Sequence, residues 1–343
     1  MPVSFKKDIV KSSFCDPRMD FQISHHLSEI RYDPLTSQLS RIFPSKAFML
    51  PRHDWTPAAN QSLARPCPFC AENLENSTPR FPEEFIPTGR VRVGQAVVVP
   101  NISVYESYNG VVVMAPEHYV SMRDMTSGMI GQSLEAAVEF LKRAAGKDPD
   151  NARYGTVNWN YMPHAGGSVI HPHLQVIAGR NPSSYAGLII RECERYYRSN
   201  NSVFWADLLE AESGGPRYLG KTGSVVWLAT FAPRGLADVT AVLPEKASVR
   251  DIGEEDIKDI ASGVLRVVRY YDSVNIPAFN MALYFARRED QGFWVTLRMI
   301  ARFSVGPLSA SDFSYMQALL GDPWTFQLPE EMAPELRRYF PGS

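Results

Sequence analysis

Ser168-Val-Ile-His-Pro-His-Leu-Gln-Val-Ile-Ala178 is the stretch on which the reading of this chain turns. It has the composition of a β-strand, approached through Ala165-Gly166-Gly167. A strand alternates its faces with period two, so His171, His173 and Gln175 are expected on one side. Two imidazoles and a carboxamide in a row are costly on a core face. They make sense where that face meets a phosphate, a metal, or both. The competing reading of His173 is a core histidine with its hydrogen bonds satisfied.

On either side of this stretch the apolar segments fall in a fixed order. Val97 to Tyr105 is expected to be a strand broken at Pro100, and Gly110 to Ala115 a second strand, followed by Pro116-Glu-His-Tyr119. From Thr126 to Lys147, apolar residues recur at helical spacing through Met129, Leu134, Ala137, Val138 and Leu141. Asn158 to Asn160 and His171 to Ala178 close the unit.

The same order recurs later. Asp238 to Leu243 is an apolar strand, followed by Pro244-Glu-Lys-Ala247. Asp251 to Asp272 has the helical pattern, with Ile257, Ile260 and Val264 on its apolar side. Phe279 to Phe285 and Phe293 to Phe303 are then strands. Pro116 and Pro244 hold matching places. The chain therefore reads as a duplicated strand–helix–strand–strand module of the α+β class. Two helices are expected between the copies, within Ser183 to Glu212. The division expected is residues 1–182 for the first module and 183–343 for the linking helices and the second. Only the first copy holds histidines on its last strand; Arg298 and Arg302 take their place in the second.

Composition narrows the function. The chain has 343 residues, 45% hydrophobic and 21% charged, which is enough for one large or two medium domains. A net charge of −2 and the absence of a basic run give no electrostatic footprint for nucleic acid. The first sixteen residues lack the apolar core of a signal peptide. No apolar stretch approaches the ~20 residues of a membrane span. These features fit a cytoplasmic protein without a membrane partner.

Of the four cysteines, Cys67 and Cys70 form Cys67-Pro-Phe-Cys70, a spacing that suits metal or redox chemistry in a reducing compartment. Pro66 and Pro68 restrict the backbone there and favour a preset knuckle. A turn with two partly buried thiols is the plainer reading. Zinc prefers tetrahedral thiolate and imidazole ligands. Cys67, Cys70, His118 and His171 would make a closed, structural set with no place for substrate. Cys15 and Cys193 carry no local pattern.

Taken together, these motifs resemble the galactose-1-phosphate uridylyltransferase-like family, the HPHxQ branch of the histidine-triad superfamily. The resemblance runs in order along nearly the whole chain. Ser28-Glu-Ile-Arg-Tyr-Asp-Pro-Leu-Thr36 is similar to the family's N-terminal signature, and Cys67-Pro-Phe-Cys70 with Glu72-Asn73 to its zinc knuckle. Pro116-Glu-His118 resembles its proline–acidic–histidine turn. Asn160, Gly166, Ser168 and His171-Pro-His-Leu-Gln175 resemble its active-site segment. Ser311-Asp-Phe313, Pro329-Glu-Glu331 and Leu336-Arg-Arg338 resemble its C-terminal end.

The resemblance implies two repeated half-barrel modules, each an antiparallel sheet with packed helices. It implies nucleotidyl transfer from a nucleoside diphosphate sugar to a phosphorylated acceptor, through a covalent nucleotidyl-histidine at His173. Gln175 would hold the phosphoryl oxygens, with Ser168 and the Gly166-Gly167 amides nearby. Asn101 would serve base recognition and Asn160 would support the active site. Structural zinc on Cys67, Cys70, His118 and His171, and a possible homodimer, also follow from it. Lys46 and Arg52 are the cations available to meet phosphates in the segment after the N-terminal signature. Related strands also serve dinucleotide phosphorylases and hydrolases. A nucleotide-binding protein without catalysis is the reading from outside the enzymes.

Overall fold

The computed structural model describes residues 3–44, 50–305 and 310–342, so Lys46 lies outside the described residues. A ribbon of β1 (Lys7–Asp16) and β2 (Gln22–Tyr32) opens the chain and is joined by β3 (Leu39–Ile42). Two short helices follow, α1 (Thr56–Ser62) and α2 (Ala71–Ser77). The first repeat consists of β4 (Val91–Val93), β5 (Ala96–Pro100), β6 (Tyr108–Val113), α3 (Ser127–Lys147), β7 (Tyr154–Tyr161) and β8 (His173–Gly179). Helices α4 (Ser184–Asn200) and α5 (Phe204–Glu212) link it to the second repeat. That repeat is β9 (Tyr218–Thr222), β10 (Val225–Ala229), β11 (Leu236–Leu243), α6 (Glu254–Ser273), β12 (Ala278–Phe285) and β13 (Val295–Arg302). Helix α7 (Pro329–Arg337) lies near the C-terminus.

Ten of these strands form one antiparallel sheet in the order β4-β5-β6-β8-β7-β12-β13-β11-β10-β9. Read inward from either edge, the two halves have the same order. The duplication expected from the sequence is thus the architecture of the protein. The halves meet where β7 pairs with β12, with Trp159 opposite Met281 and Asn160 opposite Asn280.

Period-two alternation assigns each face. Leu174, Val176, Val157 and Trp159 point towards α3, and Leu297, Met299, Phe279 and Met281 join the same core with α6. Full burial of such a side chain contributes roughly 1.5–3 kcal/mol. Helix α3 starts at Thr126, whose hydroxyl accepts from the Met129 amide at 3.1 Å. Helix α6 crosses Trp227 of β10 so closely that a Cβ on Gly263 would sit 2.0 Å from the indole ring. Only glycine fits there.

The opposite face carries the two halves' different fates. Over β5 and β6, Phe69 of the Cys67–Cys70 turn and Leu74 of α2 pack against Val97, Val99 and Val111. Over β11 and β13 lie α4 and α5, packed through Ile189, Cys193, Phe204 and Trp205 against Val242 and Phe293. Burial pushes the Cys193 thiol up to about 12, so it stays protonated.

One sequence expectation is corrected in detail. The strand begins at His173, not Ser168, because Pro172 has no amide hydrogen for the ladder; its carbonyl instead accepts from Met114 at 3.0 Å. His171 therefore precedes the strand. Among the described residues no helix is long and apolar enough to cross a membrane.

Candidate active site and metal centre

Four side chains from three separate parts of the chain converge beneath the open face of β8. The ligand-type atoms of Cys67, Cys70, His118 and His171 all lie within 4.8 Å of one another. The first two come from the knuckle before α2, His118 from the turn after β6, and His171 from the approach to β8. The imidazole tautomers follow from their partners. His171 Nε2 lies 2.8 Å from the Ala115 carbonyl, which can only accept, so Nε2 carries the hydrogen. Its bare Nδ1 faces both sulfurs at 3.8 Å. Ser62 donates its hydroxyl to the Ala59 carbonyl at 2.7 Å and so accepts from His118 Nε2 at 2.7 Å. The bare His118 Nδ1 then points at Cys70 Sγ, 3.4 Å away.

Two imidazole lone pairs and two sulfurs thus converge in a buried space. Burial, reinforced by neighbouring Cys67, pushes the Cys70 thiol up to about 11. Burial also holds His171 down at about 4 and lowers His118. Neutral imidazoles and thiols whose negative charge lacks a counterion are what a divalent, sulfur-tolerant cation would complement. The donor set fits zinc.

His173 sits beside this centre on the same open face. Its Nδ1 lies 2.8 Å from the His171 carbonyl and must donate to it. The lone pair is then on Nε2. The residue is 8% exposed, and burial lowers its pKa, keeping the ring neutral. The Phe69 ring from the knuckle packs near both His171 and His173, with centroids 5.9 and 5.7 Å away. One residue thereby ties the metal-type cluster to the second imidazole. Gln175 lies two residues along β8, opposite Val111 of β6 and Asn158 of β7.

The approach to the strand is a tight turn. Gly166 has φ +86°, and a Cβ on Gly167 would lie 3.1 Å from the carbonyls of both Asn160 and Met162. The amides of Gly166 and Gly167 donate to Pro163 and Met162 carbonyls at 2.9 and 3.3 Å. Both amides thus take part in closing the turn. Glycine is needed here for shape. Ser168 is exposed at the end of the turn.

This geometry has counterparts among known proteins. No family profile matches the chain. An uncharacterized protein of Archaeoglobus fulgidus is 31% identical over 317 residues, covering 92% of this chain and 93% of that one. An ADP-glucose phosphorylase of Arabidopsis thaliana, solved with ADP-glucose bound, superposes with a TM-score of 0.68 at 16% identity, over 90% of this chain and 98% of that one. A uridylyltransferase structure gives a TM-score of 0.64 at 20% identity, over 90% and 97% of the two chains. The chain belongs to one family with the Archaeoglobus fulgidus protein and shares its fold with the phosphorylase and the uridylyltransferase.

In this fold the second repeat supports the first. Arg302 of β13, which the sequence sets where the first copy has histidines, is held by Asp312 at 2.6 Å and donates to Asn280 Oδ1 at 2.7 Å. Asn280 Nδ2 donates both to Asn160 Oδ1, at 2.7 Å, and to the Ala165 carbonyl, at 2.9 Å. The second module therefore buttresses the glycine turn. Arg298 lies on the equivalent open face but is closed off by a forked pair with Asp238 and a 2.6 Å hydrogen bond to Tyr185. It borders a cavity of about 60 Å³ under α4 and α5.

Two sequence candidates stand apart from His173. Asn101 follows the far end of β5, about 13 Å along the strands from the His173 level at 3.3 Å per residue, and its Oδ1 accepts from the Ser103 amide. Arg52 pairs with Asp272 at the surface. Ser62, Asn280 and Arg302 are the positioning residues that sequence reasoning missed. His164, whose ring packs against those of His53 and Trp55, has an Nδ1 that is buried without a partner.

Proposed function

We propose that this protein is a nucleotidyltransferase that moves a nucleoside monophosphate from a nucleoside diphosphate sugar to a phosphorylated acceptor through a covalent intermediate on His173. The observation that carries the proposal is the His173 tautomer. Nδ1–H is committed to the His171 carbonyl, which leaves the lone pair of a neutral ring on Nε2.

In the first step Nε2 attacks the α-phosphorus. An Nε2–P bond forms, the P–O bond to the outer phosphate breaks, and sugar 1-phosphate leaves with the bonding pair. In the second step a phosphate oxygen of the acceptor attacks the same phosphorus and releases Nε2. The acceptor is a sugar 1-phosphate or inorganic phosphate. The imidazole returns neutral, so no net proton change is needed at His173.

Gln175 donates to the phosphoryl oxygens without adding a titrating group. Ser168 offers a hydroxyl at the phosphate end, while Asn160, Gly166 and Gly167 fix the turn that presents it. Asn101, further along the sheet, suits the nucleoside end of a donor that spans this distance. Zinc on Cys67, Cys70, His118 and His171 would be structural, lending the knuckle rigidity. Residues 1–182 act as the catalytic module and 183–343 as its support. The fold shared with an ADP-glucose phosphorylase and a uridylyltransferase supports donors of this class.

Initial rates test the two-step order. With donor and acceptor both varied, parallel double-reciprocal lines are expected, together with donor–product isotope exchange in the absence of acceptor. Converging lines without exchange would mean direct transfer and would remove His173 as nucleophile.

A further inference from the structure

The cavity beneath α4 and α5 occupies the second repeat's counterpart of the His173 face. Leu228, Thr240, Tyr284, Thr296 and Arg298 line it from β10 to β13 as cross-strand neighbours on one side of the sheet. Helix α5 closes it with Trp205, Leu208 and Glu212, which share one side of the helix at i, i+3 and i+7. The cavity of about 60 Å³ has room for roughly four waters, which is the room of one small ring.

The polar groups of the cavity select what can enter. Arg298 is the one cation lining it among the described residues, and its donors are spent. It forks onto Asp238, donates to the Tyr185 hydroxyl at 2.6 Å and reaches the Ala232 carbonyl at 3.3 Å. An anion therefore finds no free cation there. Glu212 is the opposite case. It is 2% exposed, and one carboxylate oxygen accepts from Arg217 Nε at 2.9 Å. Its Oε2 is buried with no hydrogen-bond partner among the described residues. A buried oxygen left in this state is costly, and a donor from a guest removes the cost.

We propose that this cavity binds a single-ring nitrogen heterocycle whose N–H donates to Glu212 Oε2 and whose ring packs against Phe204, Tyr284 and Phe293. These aromatic walls suit a flat guest, which they meet with faces and edges. The hydroxyls of Tyr284 and Thr296, cross-strand partners of β12 and β13, can donate to or accept from its second polar atom. A fused second ring exceeds the room, and a phosphate meets no free cation, so a whole nucleotide does not fit. The site shares no residue with His173 or the metal centre, so its failure would leave the transferase reading untouched.

The test is calorimetric titration of the full-length protein with 2-pyridone and 2-aminopyrimidine, and with toluene as a ring of similar size without N–H. Both heterocycles are expected to bind the wild type about tenfold or more tightly than toluene, the worth of a hydrogen bond to a charged group. Glu212→Gln keeps an oxygen for Arg217 and puts an amide nitrogen in place of Oε2. It is expected to remove that advantage and leave toluene binding unchanged. Ala186→Leu, which fills the cavity from α4, is expected to abolish binding of all three with unchanged circular dichroism. Toluene binding as tightly as the heterocycles, or no heterocycle binding at all, would overturn the proposal. So would heterocycle binding that survives Ala186→Leu, since it would place the ring elsewhere. Should Ala186→Leu fail to fold, the wild-type comparison and Glu212→Gln still decide.

Discussion

Asn280 of the second repeat donates a 2.7 Å hydrogen bond to Asn160 of the first, across the strand pair where the two halves of the sheet meet. The same amide group also holds the Ala165 carbonyl, and Arg302 holds Asn280 in turn. The repeat without histidines thus fixes the shape of the glycine turn that leads into β8.

Asn280→Ala removes both donors and leaves two carbonyl-type oxygens unmatched, a loss of about 1–3 kcal/mol where they are buried. We expect kcat/KM to fall by about tenfold or more, with zinc content unchanged. Steady-state kinetics with metal analysis checks this. An unchanged kcat/KM would show that the turn keeps its shape unaided.

The metal centre makes a second prediction. Purified protein is expected to carry one zinc per chain, and Cys70→Ser to lose it along with thermal stability. Ser62→Ala removes the hydroxyl that fixes the His118 tautomer. Loss of such an outer partner weakens metal binding by roughly 10–100-fold. Competition with a chromophoric chelator measures that change. Equal affinity in Ser62→Ala would contradict the tautomer assigned to His118.

Glu330 makes a prediction about acid stability. It accepts both Nη groups of Arg31 at 2.9 Å and Arg217 Nη1 at 2.8 Å. Burial alone would raise its pKa, but hydrogen bonds from Arg31 and Arg217 overcome this and hold it at about 2, against an ordinary 4.5. The folded value is the lower one, so the stabilisation is complete above the unfolded value and is lost as pH falls towards 2. Glu330→Gln should cost about 3 kcal/mol at pH 7, since it leaves the buried Arg31 charge less compensated. The gap between wild type and variant should narrow steadily below about pH 5. Urea unfolding across this range reads it directly; a gap independent of pH would assign the effect to packing.

Gly167→Ala places a methyl 3.1 Å from two backbone carbonyls that cannot retreat without opening the turn. We expect a stability loss of about 1–3 kcal/mol, as for other overpacked sites, and a larger loss of turnover than of donor binding. Thermal unfolding alongside KM and kcat separates the two.

What the sequence disclosed follows the range of each interaction. His171, His173 and Gln175 lie within five residues, and their chemistry shows in the string itself. The duplication was legible because both repeats keep the apolar periodicity that buries β8 and β13 under α3 and α6. Ser62 was not legible, because it meets His118 across 56 residues and nothing local marks it. Nor were Asn280 and Arg302, whose roles depend on β7 pairing with β12, a pairing that periodicity does not specify. The hydrogen bonds of the Gly166 and Gly167 amides were not legible either, because composition does not show which carbonyls a turn consumes. The β1–β2 ribbon went unread for a related reason: its apolar residues face outward, so no buried stripe announces them.

The central claim is that His173 carries the nucleotide. The most direct measurement is the intact mass of the protein after brief mixing with UDP-glucose, ADP-glucose, GDP-mannose or a diadenosine polyphosphate, each in turn. The account predicts an acid-labile gain of one nucleoside monophosphate with at least one donor, absent in His173→Gly of unchanged fold. No adduct from any donor, or one that persists in His173→Gly, would contradict it.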